Sequence, residues 1–413
     1  TDGFEMSSDI LTFGKLRASW AQVGNDSDPY LTQSGYNSYT TSYNAQGYAS
    51  MSSRIPAFDL KNELTTSWEL GFDVRLFKNR VGLDLTYYDG KTENQILPVQ
   101  ISNSSGYQTV VINAGEIANS GLEVILNAGI IKSSSGFNWD LSFNYAKNNS
   151  EVVELAPGIE TYLLVDNYPN DIEARPGEAF GNIIGYKYKR SPDGRRIVGS
   201  GGNYSRESEK SILGNITPDW IGGLNNAFSY KGIFMNVLID FVQGGEVSSS
   251  TKYQMIAKGT GLFTEEGRRP QDTDENGAQL PYVGVLDGVV EVLDGDGNVT
   301  GYEENTKAVD GQTYWATRAW SSIGEEFVLD ASYIMMRELM IGYNFKSSVL
   351  ANSPFRGIRI SLVGRNLFYF EEHMQNMGIS PESQPNTSAG ARGIESMSMP
   401  TTRTFGVNVN LTF

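Results

Sequence analysis

The side chains with the most chemical potential in this chain are few and poorly spaced for catalysis. Its one histidine, His373, sits in Phe370-Glu371-Glu372-His373-Met374, and there is no cysteine. A zinc site needs three or four His, Cys or carboxylate ligands, so His373 would need two or more carboxylates arriving from elsewhere; an exposed loop histidine is the plainer expectation. A Ser/His/Asp set would have to use the same histidine, and no Gly-x-Ser-x-Gly elbow is present. No Gly-rich loop leads into a helix to cradle phosphate. The residue types therefore predict no reaction, no cofactor and no thiolate metal site.

Two Asp-rich turns resemble the opening of a calcium loop: Asp272-Thr273-Asp274-Glu275-Asn276-Gly277 and Asp294-Gly295-Asp296-Gly297-Asn298. The bidentate acid of such a loop belongs at its twelfth position, which is Val283 in the first and Asn305 in the second. The second turn lies between Val289-Val290-Glu291-Val292 and Val299-Thr300-Gly301-Tyr302, which predicts a small hairpin. Whether Asp272–Asn276 holds calcium is left open by the sequence.

Aromatic residues make the sharper candidates. Tyr30, Tyr36, Tyr39, Tyr43 and Tyr48 crowd one long loop, and Tyr314, Trp315 and Trp320 crowd the longest. Flat rings stack on sugar faces or on peptide side chains; equally, they pack loop against loop or anchor a partner protein. The candidate substrate-binding set is Tyr39, Tyr43, Tyr314, Trp315 and Trp320, with Asp73, Arg75 and Arg365 shaping the passage below them. Lys and Arg total 32 against 48 Asp and Glu, a net charge of −16, and such a surface repels nucleic acid.

The elements that must carry these residues show themselves by period-two alternation. Trp68, Leu70, Phe72, Val74 and Leu76 alternate with Glu69, Gly71, Asp73 and Arg75. Val81, Leu83, Leu85 and Tyr87 follow after a short turn, and Phe137, Trp139, Leu141, Phe143 and Tyr145 repeat the pattern, as do Phe405, Val407, Val409, Leu411 and Phe413. No run of about 20 apolar residues exists to form a membrane helix, and with 39% hydrophobic residues the chain is polar on average. A transmembrane barrel needs no such run. Its mark is short turns at one end and long loops at the other. Here Lys78 to Arg80, Ser133 to Gly136 and Tyr230-Lys231-Gly232 are tiny, whereas the link from Gly244 to Leu329 is very long. Compact soluble domains rarely carry such loops. Trp20, Trp68, Tyr87, Tyr88, Trp139, Tyr145, Trp220 and Tyr343 fall near strand ends, as girdle aromatics do.

Counting back from Phe413 with a periplasmic C-terminus gives twelve strands: 403–413, 357–370, 332–345, 233–243, 220–230, 181–190, a weak one near 160–167, 137–148, 121–131, 81–91, 67–77 and 13–24. Every short turn then falls on the periplasmic side. The fold class is all-β, a transmembrane antiparallel β-barrel, with 1–413 expected to form part of one barrel domain. Inward positions include Glu69, Asp73, Arg75, Asp84, Asp140, Asn144, Asp240, Glu338, Arg359 and Arg365, expected to pair with one another or to face a plug. Arg337 breaks the pattern by pointing to lipid, which calls for a position above the bilayer or a bulge. A chain that enters a strand near residue 13 with no export signal is expected to be the C-terminal part of something larger.

Several blocks resemble one family. Met399-Pro400-Thr401-Thr402-Arg403-Thr404-Phe405-Gly406-Val407-Asn408-Val409-Asn410-Leu411-Thr412-Phe413 looks like the closing segment of the SusC/RagA-like TonB-dependent outer-membrane transporters of Bacteroidota. Ile212-Leu213-Gly214-Asn215-Ile216-Thr217-Pro218-Asp219-Trp220, Ala331 to Leu339, Gly364 to Phe368 and Gly115 to Glu123 agree, in one order over most of the chain. The resemblance implies about the last twelve strands of a 22-stranded barrel, with the plug domain and the TonB-contacting segment N-terminal to it. It implies import of an oligosaccharide or peptide, with a SusD-like surface lipoprotein as lid and TonB supplying energy. The alternatives are a siderophore or cobalamin receptor without a lid, and a non-transporting surface barrel or adhesin. Phe413 resembles the terminal aromatic by which such barrels are recognised for assembly. One departure stands out: where relatives carry an Asn-Gly-Asp-Gly-type acidic loop, this chain has Ser191-Pro192-Asp193-Gly194-Arg195-Arg196.

Overall fold

The computed structural model describes residues 10–27, 29, 31–33, 35–39, 44, 46–265, 276, 283–345, 349–351, 353–374, 377–382 and 393–413. The chain divides into two compact units, one made of Thr1–Ile130, Asp140–Tyr162 and Ala174–Phe180, the other of Ile131–Trp139, Leu163–Glu173 and Gly181–Phe413.

The first unit is built on long antiparallel strands, β1 (Leu11–Asn25), β2 (Glu63–Leu76), β3 (Val81–Glu93), β4 (Glu116–Lys132) and β5 (Phe137–Glu154), neighbours in that order. Their alternation has a physical meaning. Leu16, Trp20, Trp68, Leu70, Phe72 and Tyr87 are exposed along one face of these strands, while Gly71 on the other face is buried. Apolar side chains laid out in a band like this suit lipid and would be untenable in water. On the opposite face Arg17 reaches over Gly71 to Asp84, donating at 2.9 and 2.5 Å, and to Thr86 at 3.2 Å. The register Arg17↔Gly71↔Thr86 makes this possible: a Cβ on Gly71 would stand 2.7 Å from the Arg17 Nε. A second crossing uses Gly121. Tyr88 on β3 lies across it, and its hydroxyl donates to Asn148 Oδ1 on β5 at 2.8 Å, so three strands are tied through one missing side chain.

The second unit carries β6 (Trp220–Tyr230), β7 (Ile233–Gln243), β8 (Tyr333–Asn344), β9 (Gly357–Glu372) and β10 (Thr404–Thr412), again neighbours in chain order. Lys231 (φ +49°) and Gly232 (φ +98°) join β6 to β7 in a two-residue turn with both φ positive, the hairpin geometry that matches strand twist. Ile221, Ile233, Ile341, Ile360, Leu362, Phe368, Val407, Val409 and Leu411 are exposed. Of the two placements open to Arg337, above the bilayer or at a bulge, the ladder shows a bulge: it skips Arg337 on both sides, with Leu238↔Glu338 followed by Ile239↔Met336, and Met336↔Phe368 followed by Glu338↔Arg365. A bulge re-aims its extra residue, and Arg337 turns to Asp240, to the Asn366 Oδ1 at 2.9 Å and to both oxygens of Glu382.

Ten of the twelve expected strands fall in these two runs. The other two, near 160–167 and 181–190, do not. Tyr162–Val165 and Asn182–Tyr188 join Asp171–Ala174 and Arg206–Asn215 in a separate four-stranded sheet. The cause is burial: Asn182, Ile183, Ile184 and Gly185 are buried in succession, and Ile183 forms a core of its own with Ile172 and Ile394, leaving no face for lipid. Removing an even number of strands leaves the direction of every other strand as expected. No helix among the described residues is long and apolar enough to cross a membrane.

Candidate functional site

In the first unit the hairpin of Tyr36–Ser38 and Ala49–Met51 carries the aromatic candidates. The Tyr39 and Tyr48 rings stack at 4.7 Å and 17°, and they are 46% and 47% exposed. The Tyr39 amide donates to the Tyr48 carbonyl at 3.1 Å, and its hydroxyl lies 3.1 Å from Ser50 Oγ, so the pair is held as a platform; Tyr36 is exposed on the same hairpin. Tyr30 and Tyr43 lie outside the described residues. A cavity of about 310 Å³ opens at the ends of β3, β4 and β5, lined by Glu93, Asn94, Glu116, Glu154, Leu155 and Pro157. Lys91 Nζ stands 2.7 Å from Glu116 and 3.4 Å from Glu93.

In the second unit the long link between β7 and β8 folds into two helices, α1 (Ser250–Lys258) and α2 (Gly311–Trp320). Ser249 caps α1 by accepting from the Lys252 amide, and Asp310 caps α2 by accepting from Gln312 and Thr313. Side-chain caps of this kind satisfy backbone donors at a helix start. The helices sort the candidate aromatics. Trp315 is only 9% exposed, its ring 5.8 Å from Phe263 and 5.2 Å from Tyr314, with the Arg318 guanidinium 5.0 Å over it. Tyr314 is half-buried against the core of Tyr188, Val198, Tyr204, Leu286 and Ile323. Trp320 is 57% exposed.

Beside these helices lies a charged cluster that the sequence did not reveal. The Glu326 carboxylate, almost buried, accepts from Arg318 at 2.9 Å and from the Tyr188 hydroxyl, and Lys252 Nζ stands 3.5 Å away. Lys252 also donates to the Glu326 carbonyl at 2.5 Å. Arg196 lies 4.2 Å over the Tyr188 ring and 5.4 Å over Tyr204. Glu325 accepts instead from Arg190 at 2.5 Å and from the Tyr188 amide at 2.9 Å. Burial pushes the Glu326 carboxyl up, but Arg318, Lys252 and the Tyr188 hydroxyl outweigh it and hold it below the ordinary carboxylate range. Burial, with Glu326 only partly offsetting it, pushes the Lys252 amine below the ordinary lysine range. Burial and the neighbouring Glu326 push the Tyr188 hydroxyl well up. The members come from positions 188, 196, 252, 318 and 326, so no local motif could have signalled them.

The strand candidates do not converge on the aromatics. Asp73 and Arg75 sit near the β2–β3 turn, with Arg75 5.2 Å over the Phe13 ring. Arg365 donates to Glu338 across the β8–β9 ladder at 2.8 Å. Asp294 spends its carboxylate on its own turn, accepting from the amides of Asp296 and Asn298 at 3.0 and 2.8 Å, within the hairpin Val289–Leu293 and Val299–Glu304. Asp272 to Glu275 lie outside the described residues. His373 Nε2 is 3.7 Å from both Asp330 and Glu371, half-exposed.

Residues 9–367 match the family model for TonB dependent receptor-like β-barrels. The whole chain aligns at 26% identity with TonB-dependent receptor P3 of Formosa agariphila, covering 40% of that protein, and at 22% with TonB-dependent receptor SusC of Bacteroides thetaiotaomicron, covering 39%. The chain thus spans about two-fifths of the length of these curated relatives. Among solved structures, the RagAB peptide transporter superposes with a TM-score of 0.70 at 18% identity, over 99% of this chain and 42% of that one.

Proposed function

The chain belongs to the TonB dependent receptor-like β-barrel family of the outer membrane, and from that premise we propose that the protein of which it forms part imports an oligosaccharide or a peptide. In this reading TonB energises the transport through a segment N-terminal to these residues, a plug rearranges to let cargo pass, and a SusD-like lipoprotein covers the mouth. The support is the likeness over the whole chain to SusC and to the RagAB peptide transporter. The exposed Tyr39–Tyr48 platform and the exposed Trp320 would each meet cargo or lid, while Tyr314 packs against the core beside α2. Trp315 contributes by bracing α2, because its ring faces are already covered. Asp73, Arg75 and Arg365 would shape the passage, the last through its pairing with Glu338.

The test is growth and uptake. A deletion strain supplied with single glycans or peptides as sole nutrient should fail on one class only, and a TonB-deficient strain should lose the same uptake. Co-purification of a surface lipoprotein with the tagged barrel is expected. Uptake that persists without TonB would overturn import, and growth unaffected on every glycan and peptide would leave a non-transporting barrel.

A further inference from the structure

The charged cluster beside α1 and α2 contains more cations than its carboxylates can satisfy. Three cationic side chains, Arg196, Lys252 and Arg318, gather round the single Glu326 carboxylate. Glu325 does not help, being turned to Arg190 and to the Tyr188 amide. Arg196 makes no ion pair with a carboxylate among the described residues; its guanidinium is stacked on Tyr188 and Tyr204 instead. The Arg318 Nε–H is buried and meets no acceptor among the described residues. A buried donor left unmade is costly, the more so when charged, and unpaired buried charge is penalised further. Arg318 and Lys252 keep 15% and 19% of their side-chain surface open, so the cluster can be reached.

We propose that this cluster is an oxyanion site: Arg196, Arg318 and Lys252 together receive one carboxylate or sulfate group carried on the imported cargo. A planar or tetrahedral oxyanion offers several lone pairs, which match the fork of donors on a guanidinium. It would supply the countercharge that Arg196 lacks and share the exposed parts of Arg318 and Lys252. The chain as a whole carries −16 and repels anions at a distance. Recognition therefore rests on short-range contacts, and neutral or cationic cargo gains nothing from them.

The inference rests on the import reading only for what carries the anion. Binding is measured on the whole protein in detergent, without TonB, using sodium sulfate against sodium chloride at equal ionic strength. Trp315, 5.0 Å from the Arg318 guanidinium, reports by fluorescence. Sulfate is expected to give a saturable change, and Arg196→Gln to weaken it about tenfold or more. Lys252→Met repeats the test should Arg196→Gln disturb folding, which circular dichroism checks. A uronic-acid oligosaccharide and an Asp-rich peptide serve as competitors and tell the two carriers apart; their neutral counterparts should not compete. No saturable change, or one unaltered by either substitution, overturns the site. Saturation by sulfate with no competition from either carboxylated carrier overturns its link to cargo. Wild-type protein that supports TonB-dependent uptake yet binds no anion sinks this inference alone, whereas loss of all TonB dependence sinks import and leaves the anion site standing.

Discussion

A methyl group on Gly121 would lie well inside contact distance of both the Lys147 carbonyl and the Tyr88 ring. Gly121→Val should therefore push Tyr88 off Asn148 and destabilise the first unit by about 1–3 kcal/mol, as overpacking does. Urea unfolding of the barrel in detergent checks this; an unchanged midpoint would show that the crossing carries no strain. Glu326 gives a pH signature. Its folded carboxyl lies below the ordinary value, so its stabilisation is complete above the ordinary range, near about 4.3, and is lost as pH falls through that range and then through the lower folded value. Trp315 fluorescence should shift on acidification over that window, and Glu326→Gln should remove the shift while weakening the helices already at neutral pH. Fluorescence that tracks pH identically in the variant would deny Glu326 the role. At this scale the sequence was a partial guide. It picked Tyr39 and Trp320, which the fold exposes, together with Trp315, which it buries; ring counts in a loop carry no information about which faces are covered.

Elements were more legible, because lipid on one side and a wet interior on the other impose a period that the residues must obey. That is why β2, β3, β6 and β7 lie where alternation put them. The run near 181–190 departs from the wall for a readable reason: Ile183 and Ile184 are adjacent apolar residues with no alternation, the pattern of a strand covered on both faces. Arg206–Asn215, largely polar, and the two short helices were missed because tertiary packing, rather than propensity, forms them. The β8 bulge is the element on which a prediction can be hung. Arg337 joins Asp240 on β7 to Glu382 in the segment after β9. A double-mutant cycle of Arg337→Met and Glu382→Gln should return a coupling of roughly 0.5–3 kcal/mol. Additive effects would mean that the bulge exists for the wall and does not fasten that segment.

For the molecule as a whole, the expectation that Phe413 serves as an assembly signal offers the clearest experiment. Phe413 lies just past β10, exposed, with its ring 5.1 Å from Phe355. Removing it should lower the amount of protein in the outer membrane without altering the fold of what remains there; equal levels by immunoblot of membrane fractions would reduce Phe413 to a girdle residue. The stretch between β5 and β6 has a different consequence. It contains four strands, none of which joins the long ones. Its presence therefore leaves the heading of every other strand, and the face on which each side chain falls, untouched. Residues 155–219 can therefore vary without resetting the alternation of β6–β10, provided that Ile172, Ile183, Tyr188 and Tyr204 keep their partners in the segments after β7.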